Sequence, residues 1–154
     1  MELKVKNKVI DIKFDYGMMF KVQKKLGSVN QETGEKNKDG VGVLFNGIIN
    51  RDDDSLAELI VLASNKFVTK GATEEDAIKA IENWIDEHDA DSTEGLFEEI
   101  QQEMVDSGFF KEKISKYIEN LETAVEFMKG QDNVNELQIQ ATEKMIGNMQ
   151  NALS

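Results

Sequence analysis

The chain has no cysteine and no proline, and only one tryptophan, Trp84, and one histidine, His88. Without cysteine there are no disulfides, no thiol nucleophile and no thiolate metal site. That also favours the cytosol, because small secreted domains usually rely on disulfides. Without proline, no helix is interrupted by a missing backbone N–H. No apolar run reaches the roughly 20 residues that span a bilayer. The start, Met1-Glu2-Leu3-Lys4, alternates and lacks the apolar core of a signal peptide. What remains is charge and aliphatic bulk: 31% of the 154 residues are charged and 40% are apolar. That composition suits one mainly helical domain with a real core.

The net charge of −12 is unevenly spread. Residues 1–50 carry nine lysines against six acids, residues 51–108 carry four basic residues against seventeen acids, and residues 109–154 carry five against seven. An acidic middle of this kind repels phosphate backbones and excludes direct nucleic-acid binding. It suits either solubility or a basic protein partner.

Residues 2–14, ELKVKNKVIDIKF, alternate around an Asn-containing turn, which predicts a small β-hairpin that must pack on helices to be stable. Asp15 caps a helix to about Leu26, with Met18, Met19, Val22 and Leu26 as its apolar stripe and Gly27 as its stop. Residues 28–40, SVNQETGEKNKDG, read as a mobile surface loop. Residues 41–50, VGVLFNGIIN, are apolar on nearly every side, so that helix is either buried or an interface. One of Asp52, Asp53 and Asp54 caps the next helix, built on Leu56, Leu59, Ile60, Ala63 and Phe67. Thr73 and Asp76 form a capping box ahead of Ala77, Ile78, Ile81, Trp84, Ile85 and His88. Ser92 or Thr93 opens a helix on Leu96, Phe97, Ile100 and Met104. The longest helix, about 109–129, follows Ser107-Gly108 and ends at Gly130. The polar tail 131–154 predicts a linker and a weak amphipathic helix through Leu137, Ala141, Met145, Met149 and Leu153, frayed until something binds it.

Asp86-Glu87-His88-Asp89 lacks the i, i+3 or i+4 spacing of a helical metal site, and one histidine without cysteine gives no zinc ligand set. His88 fits a helix C-terminus instead. The acidic stretches at Asp52 and Asp89 fail the calcium-loop pattern at its glycine or its twelfth position. No nucleophile elbow and no phosphate-cradling glycine motif appears. The residues therefore predict neither an enzyme nor a cofactor. Apolar surfaces remain: Phe45, Ile48 and Ile49 with Val43 and Leu44; the doublet Phe109-Phe110; and the methionines Met18, Met19, Met104, Met128, Met145 and Met149, adaptable enough for varied partners or simply core filling.

The order KVKNKVIDIKFDYGMMFKVQKKLG, LFNGIINRDDDSLAELIVLAS, TEEDAIKAIENWIDEH and LFEEIQQEMVDSGFFKEKISKYIENLE resembles the tail assembly chaperones of long-tailed bacteriophages of Gram-positive hosts, over about residues 2–128. The loop 28–40 is longer than that pattern, and the tail after Gly130 carries no family signature. The resemblance implies a non-enzymatic protein of the host cytoplasm that binds the tape-measure protein, keeps it soluble, helps recruit the major tail-tube protein and is absent from the finished particle. The expected architecture is mainly α, with an N-terminal hairpin on five or six helices. Residues 1–130 form the chaperone-like domain and 131–154 the appended tail. The expected partner-binding residues are Phe45, Ile48, Ile49, Phe109, Phe110, Met145 and Met149, with self-association as a further partner mode. Serine at both Phe109 and Phe110 is expected to weaken binding while the chain stays helical. The alternative is an acidic DNA mimic that inhibits a basic host protein; its binding would weaken steeply with salt.

Overall fold

In the computed structural model, which describes residues 1–65 and 71–154, the alternating start forms an antiparallel hairpin of β1 (Glu2–Val5) and β2 (Lys8–Asp11). Leu3 pairs with Ile10 and Val5 with Lys8. Lys6 and Asn7 both adopt positive φ, as a two-residue type I′ turn requires. The period of two sends Leu3, Val5 and Ile10 into the core and leaves Val9 outside.

Seven helices follow among the described residues: α1 (Tyr16–Lys25), α2 (Gly40–Ile49), α3 (Asp53–Ser64), α4 (Glu74–Glu87), α5 (Glu94–Asp106), α6 (Gly108–Lys129) and α7 (Glu136–Leu153). The hairpin rests on α4. The architecture is thus the expected mainly α one, with a small hairpin on a helical bundle. Phe67 lies outside the described residues.

Local capping explains several helix starts. Asp15 accepts from Met18 N–H (3.0 Å), and Asp52 accepts from Ser55 N–H (3.2 Å). Thr73 and Asp76 complete the capping box: Thr73 Oγ1 accepts from Asp76 N–H (3.2 Å), while Asp76 Oδ2 accepts from Thr73 N–H (2.8 Å). Hydrogen bonding from the Thr73 backbone, with Lys6 alongside, holds the Asp76 carboxyl below its usual value. Thr73→Ala is expected to lower stability by about 1 kcal/mol in urea unfolding. A carboxyl depressed in the folded state adds stability above its unfolded pKa and loses it as pH falls through its folded pKa. Asp76→Asn should therefore flatten that part of the acid side of the stability–pH curve.

α2 is the central element, contacting α1, α3, α5, α6 and α7. Val41, Leu44, Phe45 and Ile48 are buried in the core. Its glycines allow this crowding. A Cβ on Gly40 would overlap the Val22 carbonyl of α1, one on Gly42 the Tyr117 ring of α6, and one on Gly47 the Ser55 side chain of α3. Burial pushes the Tyr117 phenol above its usual pKa, and the Asp39 carboxylate acts in the same direction. The first turn of α2 takes a cap from its neighbour: Gln23 Oε1 accepts from Val41 N–H (3.0 Å). Asp39 meanwhile accepts from the N–H and hydroxyl of Ser28 (2.8 and 2.6 Å), closing the neck of the 28–40 loop. That loop is exposed as expected, but it follows a hydrogen-bonded path with a β-bridge between Val29 and Lys36.

Two helix faces differ from expectation. On α4, Ile78 is exposed and Ala80 is buried with Ala77 and Trp84. The small alanines form the stripe on the helix that packs against β1 and α3, which leaves the bulkier Ile78 outside. On α7, Leu137 and Ala141 face outward, while Ile139, Ile146 and Met149 are buried. The two isoleucines with Met149 offer more apolar area than Leu137 with Ala141, and α7 turns that stripe onto α6 and α2. These α7 residues join the same core cluster as the rest of the chain.

Candidate partner-binding surface

The junction between α1 and α6 is built from two aromatic pairs, one inside and one outside. Ser107, the N-cap of α6, donates its hydroxyl to the Phe14 carbonyl (2.7 Å) and accepts from Phe110 N–H (3.4 Å). This fixes the start of α6 beside the segment entering α1. Inside, the Phe14 and Phe110 rings meet edge to face, with centroids 5.1 Å apart. Outside, Tyr16 and Phe109 do the same at 5.5 Å. Adjacent residues at a helix start point about 100° apart, so the doublet divides: Phe110 is fully buried and Phe109 is 48% exposed.

One turn along α1 from Tyr16 stands Phe20, and one turn further Lys24, whose ammonium lies 5.2 Å from the Phe20 ring centroid. Tyr16 is 58% and Phe20 51% exposed. Tyr16, Phe20 and Phe109 therefore form an exposed aromatic patch spanning two helices. The sequence reading did not single out Tyr16 and Phe20 as exposed rings. The signal was present: both fall off the Met18, Met19, Val22 stripe, on the opposite side of a short helix.

The other expected contact residues are placed differently. Phe45, Ile48, Phe110 and Met149 are fully buried, and none is available at the surface of the folded chain. Ile49 and Met145 are half-buried against the core. The close packing around α2 and the seating of α7 on α6 consume these side chains. The methionines likewise fill the core: Met18, Met19 and Met104 are buried and Met128 is half-buried. Serine at both Phe109 and Phe110 is thus expected to unfold the protein, because Phe110 is core.

The acidic middle is partly consumed as well. The single arginine, Arg51, directs a two-nitrogen fork at Glu94 (Nε 3.0 Å, Nη2 2.7 Å). Its Nη1 donates to the Ile48 carbonyl (3.0 Å) and to Gln101 (2.8 Å), tying the end of α2 to α5. This hydrogen bonding raises the guanidinium pKa and lowers that of the Glu94 carboxyl. His88 is the C-cap residue of α4. Its ring stacks on Trp84 with centroids 4.3 Å apart, and its Nδ1 lies 2.9 Å from the Trp84 carbonyl oxygen. That resolves Asp86-Glu87-His88-Asp89 as a helix end. Among the described residues no three acidic or histidine side chains converge as a metal site, and no helix is long and apolar enough to cross a membrane.

The family model described as phage tail assembly chaperone protein, TAC, matches residues 2–119. The chain belongs to the phage tail assembly chaperone family. No curated protein and no solved structure matches it. The matched region spans the hairpin, α1 to α5 and the first half of α6, and so holds all three rings of the aromatic patch. The second half of α6 and all of α7 lie beyond it. The family is one of assembly factors and not of enzymes.

Proposed function

We propose that this chaperone binds the phage tape-measure protein in the host cytoplasm, keeps it soluble, helps bring tail-tube protein to it and leaves before the particle is complete. The observation that carries this reading is the family match over residues 2–119. Two physical features support it. The net charge of −12 gives any complex a repulsive, solubilising exterior. The patch of Tyr16, Phe20 and Phe109 offers apolar area that the chain leaves uncovered. A long helical partner could be coated by several copies, each contributing a modest contact to the total avidity. No catalytic step is assigned to the chain.

Co-expression tests the reading. The tape-measure protein of the same phage is expected in the pellet when made alone. With the tagged chaperone it should be in the soluble fraction and should co-purify. A tape-measure protein equally insoluble in both cases, and absent from the eluate, would refute the proposal.

A further inference from the structure

Two rings of the aromatic patch, Tyr16 and Phe20, stand on the basic part of an acidic protein. Lys21 and Lys24 lie on α1 within one turn of Phe20, and Lys113 lies one turn beyond Phe109 on α6. None of the three is ion-paired among the described residues; Lys24 has only the Phe20 ring. The acids nearest in sequence are Asp15, which caps α1 and lines a groove with Asp11 and Lys21, and Asp106 and Glu112, each three residues from Phe109. Elsewhere, residues 51–108 carry seventeen acids against four basic residues. Three half-exposed rings, with the unpaired ammonium groups of Lys24 and Lys113 within one turn of Phe20 and Phe109, thus offer an acidic partner a docking point on a protein whose surface elsewhere would repel it.

We propose that Tyr16, Phe20 and Phe109 form the docking site for an amphipathic helix whose apolar stripe is flanked by acidic residues. The rings take the apolar stripe, with Tyr16 and Phe20 one turn apart on α1. The lysines pair with the flanking carboxylates and set the orientation. The acidic remainder of the chaperone rejects other faces of the same partner, which gives the contact its register. This deepens the proposed function by naming the chemistry of the segment bound, and it rests on that reading only for the identity of the partner.

Two synthetic helical peptides sharing one leucine stripe, flanked by glutamate in one and lysine in the other, serve as probes in fluorescence anisotropy. The acidic peptide is expected to bind at least about tenfold more tightly than the basic one. The triple variant Tyr16→Ser, Phe20→Ser, Phe109→Ser should lose that binding by tenfold or more while its far-UV circular dichroism stays that of the parent. The variant Lys21→Glu, Lys24→Glu, Lys113→Glu should reverse the preference between peptides. Equal affinity for both peptides, or acidic-peptide binding unchanged in the triple variant, overturns the proposal. So does a homodimer in sedimentation that dissociates in the triple variant, which would make the patch a self-interface, or single-stranded RNA that competes at the same rings. Co-purification separates the two readings. If tape-measure protein follows the triple variant as well as the parent, the patch is wrong and the chaperone function stands. If it follows neither while the peptides behave as expected, the patch stands and the partner is another acidic helix.

Discussion

Phe110→Ala is expected to destabilise the protein by about 3–5 kcal/mol, whereas Phe109→Ala should cost about 1 kcal/mol or less. The residues are neighbours of identical chemistry, so the contrast isolates their placement. Phe110 is fully buried, edge-on to Phe14, beneath the Ser107 bridge that docks α6 beside α1. Its removal leaves a cavity between elements that cannot easily close, because Ser107 holds the Phe14 backbone in place. Phe109 loses only its edge contact with Tyr16 and apolar area that is already half in water. Urea unfolding followed by the Trp84 fluorescence or by circular dichroism measures both. Equal costs for the two variants would show that the outer pair is as structural as the inner one, and the aromatic patch would lose its claim as a docking surface.

The second large effect concerns one substitution made at two helical glycines. Gly40→Ala is expected to destabilise by about 2–3 kcal/mol. The new methyl would overlap the Val22 carbonyl, with the Gln23 carbonyl oxygen 3.0 Å away, and both are backbone atoms of α1. A backbone does not rotate away as a side chain does, so α1 and α2 would have to separate. That would also stretch the Gln23 cap on Val41 N–H. Gly147→Ala, in α7, is expected to do the reverse and stabilise by about 0.4–1 kcal/mol. Nothing lies within 4 Å of a Cβ there, and alanine reduces the entropy of the unfolded chain. Opposite signs in the unfolding midpoints would confirm that α2 is central because its glycines admit its neighbours. A mild effect at Gly40 would mean that the α1–α2 contact relaxes and that the packing of α2 is not tight.

Much of the local structure was legible because its causes are local. Alternation gave the hairpin, Asp15, Thr73 and one of Asp52, Asp53 and Asp54 gave helix starts, and Gly130 gave the end of α6. The family, too, was readable from the order of segments, since the model matches residues 2–119. Which apolar residues reach the surface was not. Phe45, Ile48 and Met149 looked like candidates because an apolar residue has the same letter in a core as at an interface, and only the number of neighbours distinguishes them. α2 illustrates this: apolar all round, it was consistent with burial or with an interface, and five packed helices decide for burial. The face of α7 turned on which of two overlapping stripes meets α6, a choice made by the shape of another helix.

The sequence by itself determined the helix and strand content, the local caps and the acidic middle, because each depends on residues within about one helical turn or on composition, and it carried the family in the order of its segments. Tertiary structure alone decided which half of Phe109-Phe110 is core and which is surface. It also joined Tyr16, one turn from Phe20, to Phe109, although some ninety residues of chain separate them. The physical reason is that burial belongs to pairs of elements. A side chain is inside only when another element covers it, and the Ser107 bridge to Phe14 sets α6 beside the segment entering α1, so that Phe110 is covered by Phe14 and Phe109 is left in the open.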